Sequence, residues 1–210
     1  MRMKRADYID MLILASFALV PFLWFRQGYD AVAGFDFSIY LNPVATLKKS
    51  MYLWSDAMAG GYDSSHEVSS MEYYLFFSIP VMLGTSLYTA EKIVFSSLFA
   101  LQGFSMYYMM GALFHGHPGA RTARLAGAFL YAFSFPVMAH FGRGNLMALL
   151  AYALLPLLLA LLKKGFDDQS RRWRYILMLS LLAFPLASVK GHPADFLVIF
   201  LVTGFFILFH

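Results

Sequence analysis

The chain has 210 residues, of which 60% are hydrophobic and only 13% carry a charged side chain. Soluble domains carry about a quarter charged residues, whereas long stretches of this chain contain no Asp, Glu, Lys or Arg. A bilayer core takes roughly 20 apolar residues per helix, so the composition predicts a multi-pass, all-α membrane protein. It excludes a soluble enzyme, a nucleic-acid-binding module and a β-barrel, whose strands would alternate. Cysteine is absent, which excludes disulfides and zinc–thiolate sites.

Six stretches are apolar enough to be predicted as membrane spans of a single domain covering residues 1–210. They are Ile9–Phe25, Ile93–Phe114, Leu125–Ala139, Leu146–Leu162, Tyr175–Ala187 and Phe196–His210. The start of the chain is basic, but no small-residue cleavage site follows the first span, which is therefore predicted to be retained. The last stretch has no polar flank, so we expect the chain to be the N-terminal part of a longer protein.

The polar segment Arg26–Glu72 is predicted to form a long outer loop with structure of its own. Asn42 followed by Pro43 is typical of a helix start, with Asn as the N-cap and Pro at the first helical position. An apolar stripe then recurs at helical spacing, made of Val44, Leu47, Met51 and Trp54. The pattern predicts a helix over Asn42–Trp54 that lies along the outer membrane surface.

Two topologies compete, and they differ in whether the segment Tyr73–Leu87 crosses the membrane. If it stays on the outer side, ten lysines and arginines lie inside and six outside, and if it crosses, the numbers reverse. The positive-inside rule favours the first topology, with the N-terminus and Lys163–Arg174 in the cytoplasm. Pro80 and Gly84 interrupt the segment, which is therefore predicted to be an interfacial or re-entrant helix.

The polar groups that could carry chemistry gather on the predicted outer face, while no span has an ionisable group near its middle. This absence disfavours an ion-coupled transporter. Asp36 lies between Phe35 and Phe37 close to the membrane, where partial desolvation would suit a general base. The other polar groups of this face are read mainly as solvated loop residues: Asp30, Asp56, Asp63, His66, Glu67, Glu72, His140, Arg143, Asn145, Lys190, His192 and Asp195. No metal ligand is assigned, because the pair His115 and His117 has no third ligand nearby.

Three stretches of the sequence resemble membrane glycosyltransferases of the GT-C fold, and in particular the α-(1→3)-arabinofuranosyltransferase D family. The first is Asp36 with Asn42-Pro43-Val-Ala-Thr-Leu47 and Tyr52-Leu-Trp54. The second is Tyr73-Tyr-Leu-Phe-Phe-Ser-Ile-Pro80 with Leu83-Gly84. The third is Ala123-Arg-Leu-Ala-Gly-Ala-Phe-Leu-Tyr-Ala-Phe-Ser134 with Leu154-Leu-Pro156. Two positions depart from the family, whose Trp-Asp-Pro is Trp54-Ser55-Asp56 here and whose Asn-Gln is Met71-Glu72.

The resemblance implies a GT-C-like bundle with two interfacial helices in its first outer loop, set in a prokaryotic plasma membrane with the active face outside. It implies transfer of a sugar, with inversion, from a polyprenyl-phosphate donor to a cell-envelope glycan or glycoprotein. Asp36 best fits the general base, with Asp30 as the second choice, and a need for a divalent metal stays open. The leaving lipid phosphate would be bound by Arg143, Lys190, His192 and His140. The alternatives are a transporter or flippase of lipid-linked sugars and a non-catalytic membrane scaffold.

Overall fold

The structure is a computed structural model that describes residues 5–24, 42–52, 54–55, 61–63, 71–187 and 193–209. The described part of the chain is helical apart from one short hairpin. The helices are α1 Arg5–Ser16, α2 Leu19–Trp24, α3 Pro43–Ser50, α4 Met71–Met82, α5 Leu87–Leu113, α6 Ala120–Ala132, α7 Phe135–Gly142, α8 Leu146–Asp167, α9 Arg172–Ala187 and α10 Pro193–Phe209. A 3₁₀ turn, Gln169–Arg171, precedes α9, and strands β1 (Trp54–Ser55) and β2 (Tyr62–Asp63) pair antiparallel.

Four helical stretches in the described part of the chain are long and apolar enough to cross a membrane. They are Ala6–Trp24, Leu87–Leu113, Ala120–Gly142 and Leu146–Asp167, with 19, 27, 23 and 22 residues. The prediction of an all-α protein with several membrane-length helices is therefore confirmed. Helices α9 and α10 have 16 and 17 residues. That they also cross the membrane, which would complete the predicted six spans, stays a prediction.

The core lies between α5 and α8, which pack against each other along most of their length. Phe99 of α5 and Leu149 of α8 are fully buried. The two helices are also joined by a hydrogen bond, because the Gln102 side-chain amide donates to the Leu149 carbonyl at 3.3 Å. The end of α1 packs closely on α5 at Gly103, where an added Cβ would lie 2.8 Å from the ring of Phe17, the residue after α1. A larger side chain at residue 103 would therefore require the Phe17 ring to move.

The α1–α2 stretch runs antiparallel to α5, which defines two ends of the bundle. In the middle of α1, Asp10 accepts a hydrogen bond from Tyr107 in the C-terminal part of α5. At the other end, the Lys92 ammonium in the second turn of α5 lies 5.8 Å from the centre of the Phe22 ring in α2. We call these the Arg121 end and the Arg143 end, after a residue that lies at each.

The membrane-length helices differ from the predicted spans mainly at their boundaries. The second predicted span begins at Leu87 instead of Ile93, because Ser86 caps the helix by accepting a hydrogen bond from the Thr89 amide at 3.2 Å. The third predicted span is two helices, since α6 ends at Ala132 and α7 begins after the N-cap Ser134. The fourth begins at Leu146 as predicted, and Asn145 caps it through the Ala148 amide.

The predicted surface helix is shorter than expected and packs on protein. Asn42 caps α3 as predicted, by accepting from the Ala45 amide at 3.0 Å. The helix ends at Ser50, however, so the prediction that it continues to Trp54 is wrong, because Trp54 pairs with Asp63 in the hairpin. The helix packs against α4, and its Pro43 and Ser50 are buried.

Helix α4 occupies most of the segment that was predicted to be interfacial or re-entrant. Pro80 does not interrupt it, contrary to expectation, and the helix ends at Met82 before Gly84, whose φ is +91°. Its 12 residues rise about 18 Å at 1.5 Å per residue, which is too short for a hydrocarbon core of about 30 Å. Its position relative to a membrane stays a prediction.

Candidate functional site

The residues predicted from the sequence divide between the described part of the chain and the rest. His140 and Arg143 are described, and both lie at the C-terminal end of α7. The two candidate bases, Asp36 and Asp30, and two candidate phosphate ligands, Lys190 and His192, lie outside the described residues. The structure therefore describes the side of the predicted site that α7 supplies.

His140 and Arg143 lie three residues apart at the end of α7, where a tight turn leads into α8. Gly144 has a φ of +64°, which favours glycine because it has no Cβ. The turn is closed by the Asn145 amide, which donates to the His140 carbonyl at 3.0 Å. Arg143 is exposed at the C-cap of α7, whereas the His140 ring is partly buried, with its centre 5.5 Å from that of Tyr152. The arginine is thus free of the protein core and able to meet an anion.

A cluster of aromatic rings joins three helices at this Arg143 end. The Trp24 ring at the end of α2 lies 5.8 Å from both Phe99 of α5 and Phe141 of α7. Phe141 also contacts Phe95, with ring centres 5.9 Å apart. Since Phe141 stands between His140 and Arg143, the end of α2 and the start of α5 lie beside the turn that carries both residues.

Lys92 is a further cation at the Arg143 end, which the sequence analysis counted only for topology. Its ammonium lies 4.3 Å from the centre of the Tyr88 ring, one helical turn earlier in α5. A cation held over an aromatic face is attracted by the ring quadrupole. The lysine is therefore fixed at the end of the bundle where the turn of His140 and Arg143 also lies. Its spacing of four residues from Tyr88 in a helix was a signal available from the sequence.

At the opposite end lies a buried polar cluster that the sequence analysis missed. Asp10 is only 1% exposed, and it accepts hydrogen bonds from Tyr107 at 2.8 Å and from Nη2 and Nε of Arg121 at 2.7 and 2.9 Å. These contacts join α1, α5 and α6 at a single carboxylate. Asp10 stands near the edge of its span, so a search for charges near the middle of spans passed over it.

Two more cations at the Arg121 end lie over tyrosine rings of α5. The guanidinium carbon Cζ of Arg124 is 3.9 Å from the centre of the Tyr107 ring, and the Lys164 ammonium is 3.7 Å from that of Tyr108. The Arg121 end therefore collects positive charge from α6 and α8.

Beyond α8, the Ser170 hydroxyl donates to Asp168 and holds the pKa of that carboxyl below its usual value.

The described residues contain no group of three His, Asp or Glu side chains placed to hold a metal ion. Asp63 lies in β2, and His66 and Glu67, which precede α4, lie outside the described residues. In the described part of the chain, cations that can bind a phosphate lie at both ends of the bundle.

The chain matches no family model, no curated protein and no solved structure.

Proposed function

We propose that this chain acts in a membrane glycosyltransferase of the GT-C type. It transfers a sugar from a polyprenyl-phosphate donor to a cell-envelope glycan or glycoprotein acceptor. The motifs around Asp36, Tyr73 and Ala123 support this proposal, together with a bundle that contains four membrane-length helices. The chemistry takes place at the Arg143 end.

The observation that carries the proposal is the meeting of α2, α5 and α7 at the Arg143 end. Trp24 contacts Phe141, and Lys92 lies near Phe22, so the stretch between α2 and α5 starts and finishes beside His140 and Arg143. That stretch carries Asp30 and Asp36 in its sequence. A carboxylate base and phosphate-binding cations are the two groups that this transfer needs, and both come from segments attached to one end of the bundle.

The distribution of charge supports an orientation with the Arg121 end in the cytoplasm. At this end Arg121 contacts Asp10 of α1, and Arg124 and Lys164 lie over tyrosines in the C-terminal part of α5. Three more basic residues follow α8, namely Arg171, Arg172 and Arg174. Lysines and arginines accumulate on the cytoplasmic side of membrane proteins. The Arg143 end then faces outward, where a lipid-linked donor meets envelope acceptors.

The proposed reaction is a direct displacement with inversion at the anomeric carbon. Asp36 takes the proton of the acceptor hydroxyl while that oxygen bonds to the sugar, and the bond from the sugar to the lipid phosphate breaks. The negative charge that develops on the leaving phosphate is stabilised by Arg143, Lys190 and His192, with His140 as a weaker member. Arginine suits this role because its planar donor group binds phosphate oxygens in pairs.

The test is transfer of label from radioactive polyprenyl-phosphate sugars in membranes that contain the full-length protein. Asp36→Asn should lower transfer by about 10²–10⁴-fold, the usual contribution of a general base, and leave donor binding intact. Arg143→Ala should weaken donor binding as well as turnover. Asp63→Asn is the matched control, because it also removes a carboxylate from the stretch between α2 and α5 and should change neither.

The outcomes separate the candidate residues and the alternative functions. If Asp36→Asn turns over normally and Asp30→Asn is inactive, Asp30 is the base. If both variants keep full activity, the proposed mechanism is wrong, and a transporter or scaffold is the better explanation.

A further inference from the structure

Pro156 removes the helical hydrogen-bond donor of one backbone carbonyl in α8. In an α-helix each carbonyl accepts from the amide four residues later, and proline has no N–H to donate. Pro156 is buried inside α8, so the carbonyl of Tyr152 has no donor from its own helix at that position. A carbonyl inside a protein needs a partner, and this one must therefore find its donor on another helix.

Tyr131 of α6 supplies this donor. Its hydroxyl donates to the Tyr152 carbonyl at 2.7 Å. Helices α6 and α8 both pack mainly on α5, so the hydrogen bond is a direct link between two helices that are otherwise held through a third. Tyr131 and Pro156 also belong to the two parts of the third motif, Ala123–Ser134 and Leu154–Pro156. The two parts of that motif thus meet at one backbone carbonyl.

The side chain of the same Tyr152 contacts a residue of the proposed donor site. The centre of its ring lies 5.5 Å from that of the His140 ring, and the two planes are inclined by 36°. The backbone of His140 is held separately, because its carbonyl accepts from the Asn145 amide at 3.0 Å. Tyr152 follows Asn145 by seven residues, so both lie on one face of α8. The direction of the His140 ring therefore depends on where α8 places Tyr152.

We propose that Tyr131 is a positioning residue that fixes the direction of the His140 ring. Its hydroxyl holds α8 in one geometry at Pro156, and Tyr152 in turn holds the imidazole at the Arg143 end. Without the hydroxyl the Tyr152 carbonyl lacks this donor, and α8 changes its bend at the proline, where helices bend most readily. The consequence for catalysis rests on the proposed function, in which His140 helps to bind the leaving lipid phosphate.

Nuclear magnetic resonance of the histidine ring protons measures the direction of this ring in the purified full chain, without any substrate. The His140 signal is identified by its loss in His140→Gln, and Tyr152→Leu shows how far the neighbouring ring displaces it. Tyr131→Phe should move the signal towards its position in Tyr152→Leu. Pro156→Ala supplies a backbone amide to the Tyr152 carbonyl, so the double variant Tyr131→Phe/Pro156→Ala should return the signal to its wild-type position.

Binding of polyprenyl phosphate to the same variants, followed by native mass spectrometry, tests the consequence for the donor site. Tyr131→Phe should raise the Kd about tenfold, as expected for the loss of one hydrogen bond to a charged group. His140→Gln should raise it equally, and the two changes together should raise it no further, because both act through one ring. Tyr108→Phe is the matched control, since it removes a tyrosine hydroxyl at the Arg121 end and keeps the ring that Lys164 contacts. It should change neither the signal nor the Kd.

An unchanged His140 signal in Tyr131→Phe would overturn the positioning role. A shift that Pro156→Ala does not reverse would overturn it too, because the Tyr152 carbonyl would then not be where the hydroxyl acts. If Tyr131→Phe does not fold, the double variant decides, since a displaced His140 signal in it refutes the proposal and a wild-type signal supports it. Failure of the wild-type protein to bind polyprenyl phosphate would refute the proposed function instead, while the His140 signal still reports on Tyr131.

Discussion

Removing the Asp10 carboxylate should destabilise the bundle at the point where α1, α5 and α6 meet. Asp10→Ala leaves the Tyr107 hydroxyl, on a side chain only 3% exposed, without its acceptor. A buried donor that loses its partner costs about 1–3 kcal/mol. The Arg121 side chain is 52% exposed, so its charge is hydrated in the variant and adds little. We therefore expect a loss of about 2 kcal/mol in the free energy of unfolding, from the Tyr107 hydroxyl alone.

Replacing Arg121, the exposed partner of this ion pair, should lower the stability of the protein more than replacing Asp10. Arg121→Ala leaves Asp10, which is 1% exposed, as a buried charge with Tyr107 as its remaining hydrogen-bond donor among described residues. Breaking a buried pair is most costly when the charge left behind cannot reach water. We expect Arg121→Ala to lower stability more than Asp10→Ala does. The double variant should be close to Asp10→Ala alone, because the carboxylate that lacked a partner is then absent.

Thermal unfolding of the purified protein in detergent, followed by near-ultraviolet circular dichroism, measures these differences. About 2 kcal/mol corresponds to a fall of about 4–8 °C in Tm for a chain of this size. Asp167→Ala is the control, since its carboxylate lies 2.9 Å from Lys163 in a pair that is partly exposed. Such a pair one helical turn apart contributes only about 0.2–0.5 kcal/mol. Two results would contradict this expectation: the same Tm for Asp10→Ala and Asp167→Ala, or a smaller fall in Tm for Arg121→Ala than for Asp10→Ala.

Three further predictions concern other parts of the molecule. A single cysteine at Ser170 should not react with a membrane-impermeant reagent in intact cells, because the proposed orientation places the segment after α8 in the cytoplasm. Gln102→Leu should leave Tm unchanged or raise it, since it removes a buried Oε1 that has no partner among described residues, whereas Gln102→Ala should lower it by opening a cavity. The pKa of Asp168, measured by carboxyl-carbon NMR, should lie below 3.8 and rise towards it in Ser170→Ala. The hydrogen bond to Ser170 thus stabilises the 3₁₀ turn at higher pH and is lost as pH falls through that lowered pKa.

Features that depend on neighbouring residues could be predicted from the sequence, and several were confirmed. Asn42 caps α3 as predicted, because an Asn side chain reaches the amide three residues later. Asn145 caps α8 in the same way, although it was predicted only as a polar residue of the outer face. The break between α6 and α7 also had a local signal, since Ser134 and Pro136 mark a helix start inside an apolar stretch. It was missed because apolar composition alone gives no reason to divide a span.

Features that depend on distant contacts had no such signal. Asp10 and Arg121 are 111 residues apart in the chain, and nothing near either residue shows that they meet. Arg121 was interpreted as a charge that orients the protein, although it also neutralises a buried carboxylate. Trp54 was assigned to the surface helix for a related reason. Its spacing fits the apolar stripe, but its pairing with Asp63 depends on a residue outside that stripe.

The tyrosines of α5 indicate where this helix meets the two membrane surfaces. Tyr88 holds Lys92 over its ring at one end, and Tyr108 holds Lys164 at the other. Twenty residues separate the two tyrosines, which is about 30 Å along a helix axis and equals the usual thickness of a hydrocarbon core, about 30 Å. Tyrosine is enriched at membrane interfaces, and lysine extends its charge from there towards water. Because Asp10 and Arg121 cluster near Tyr107, we expect their ion pair to lie at the membrane boundary, where a charged pair is less costly than at the centre of the bilayer.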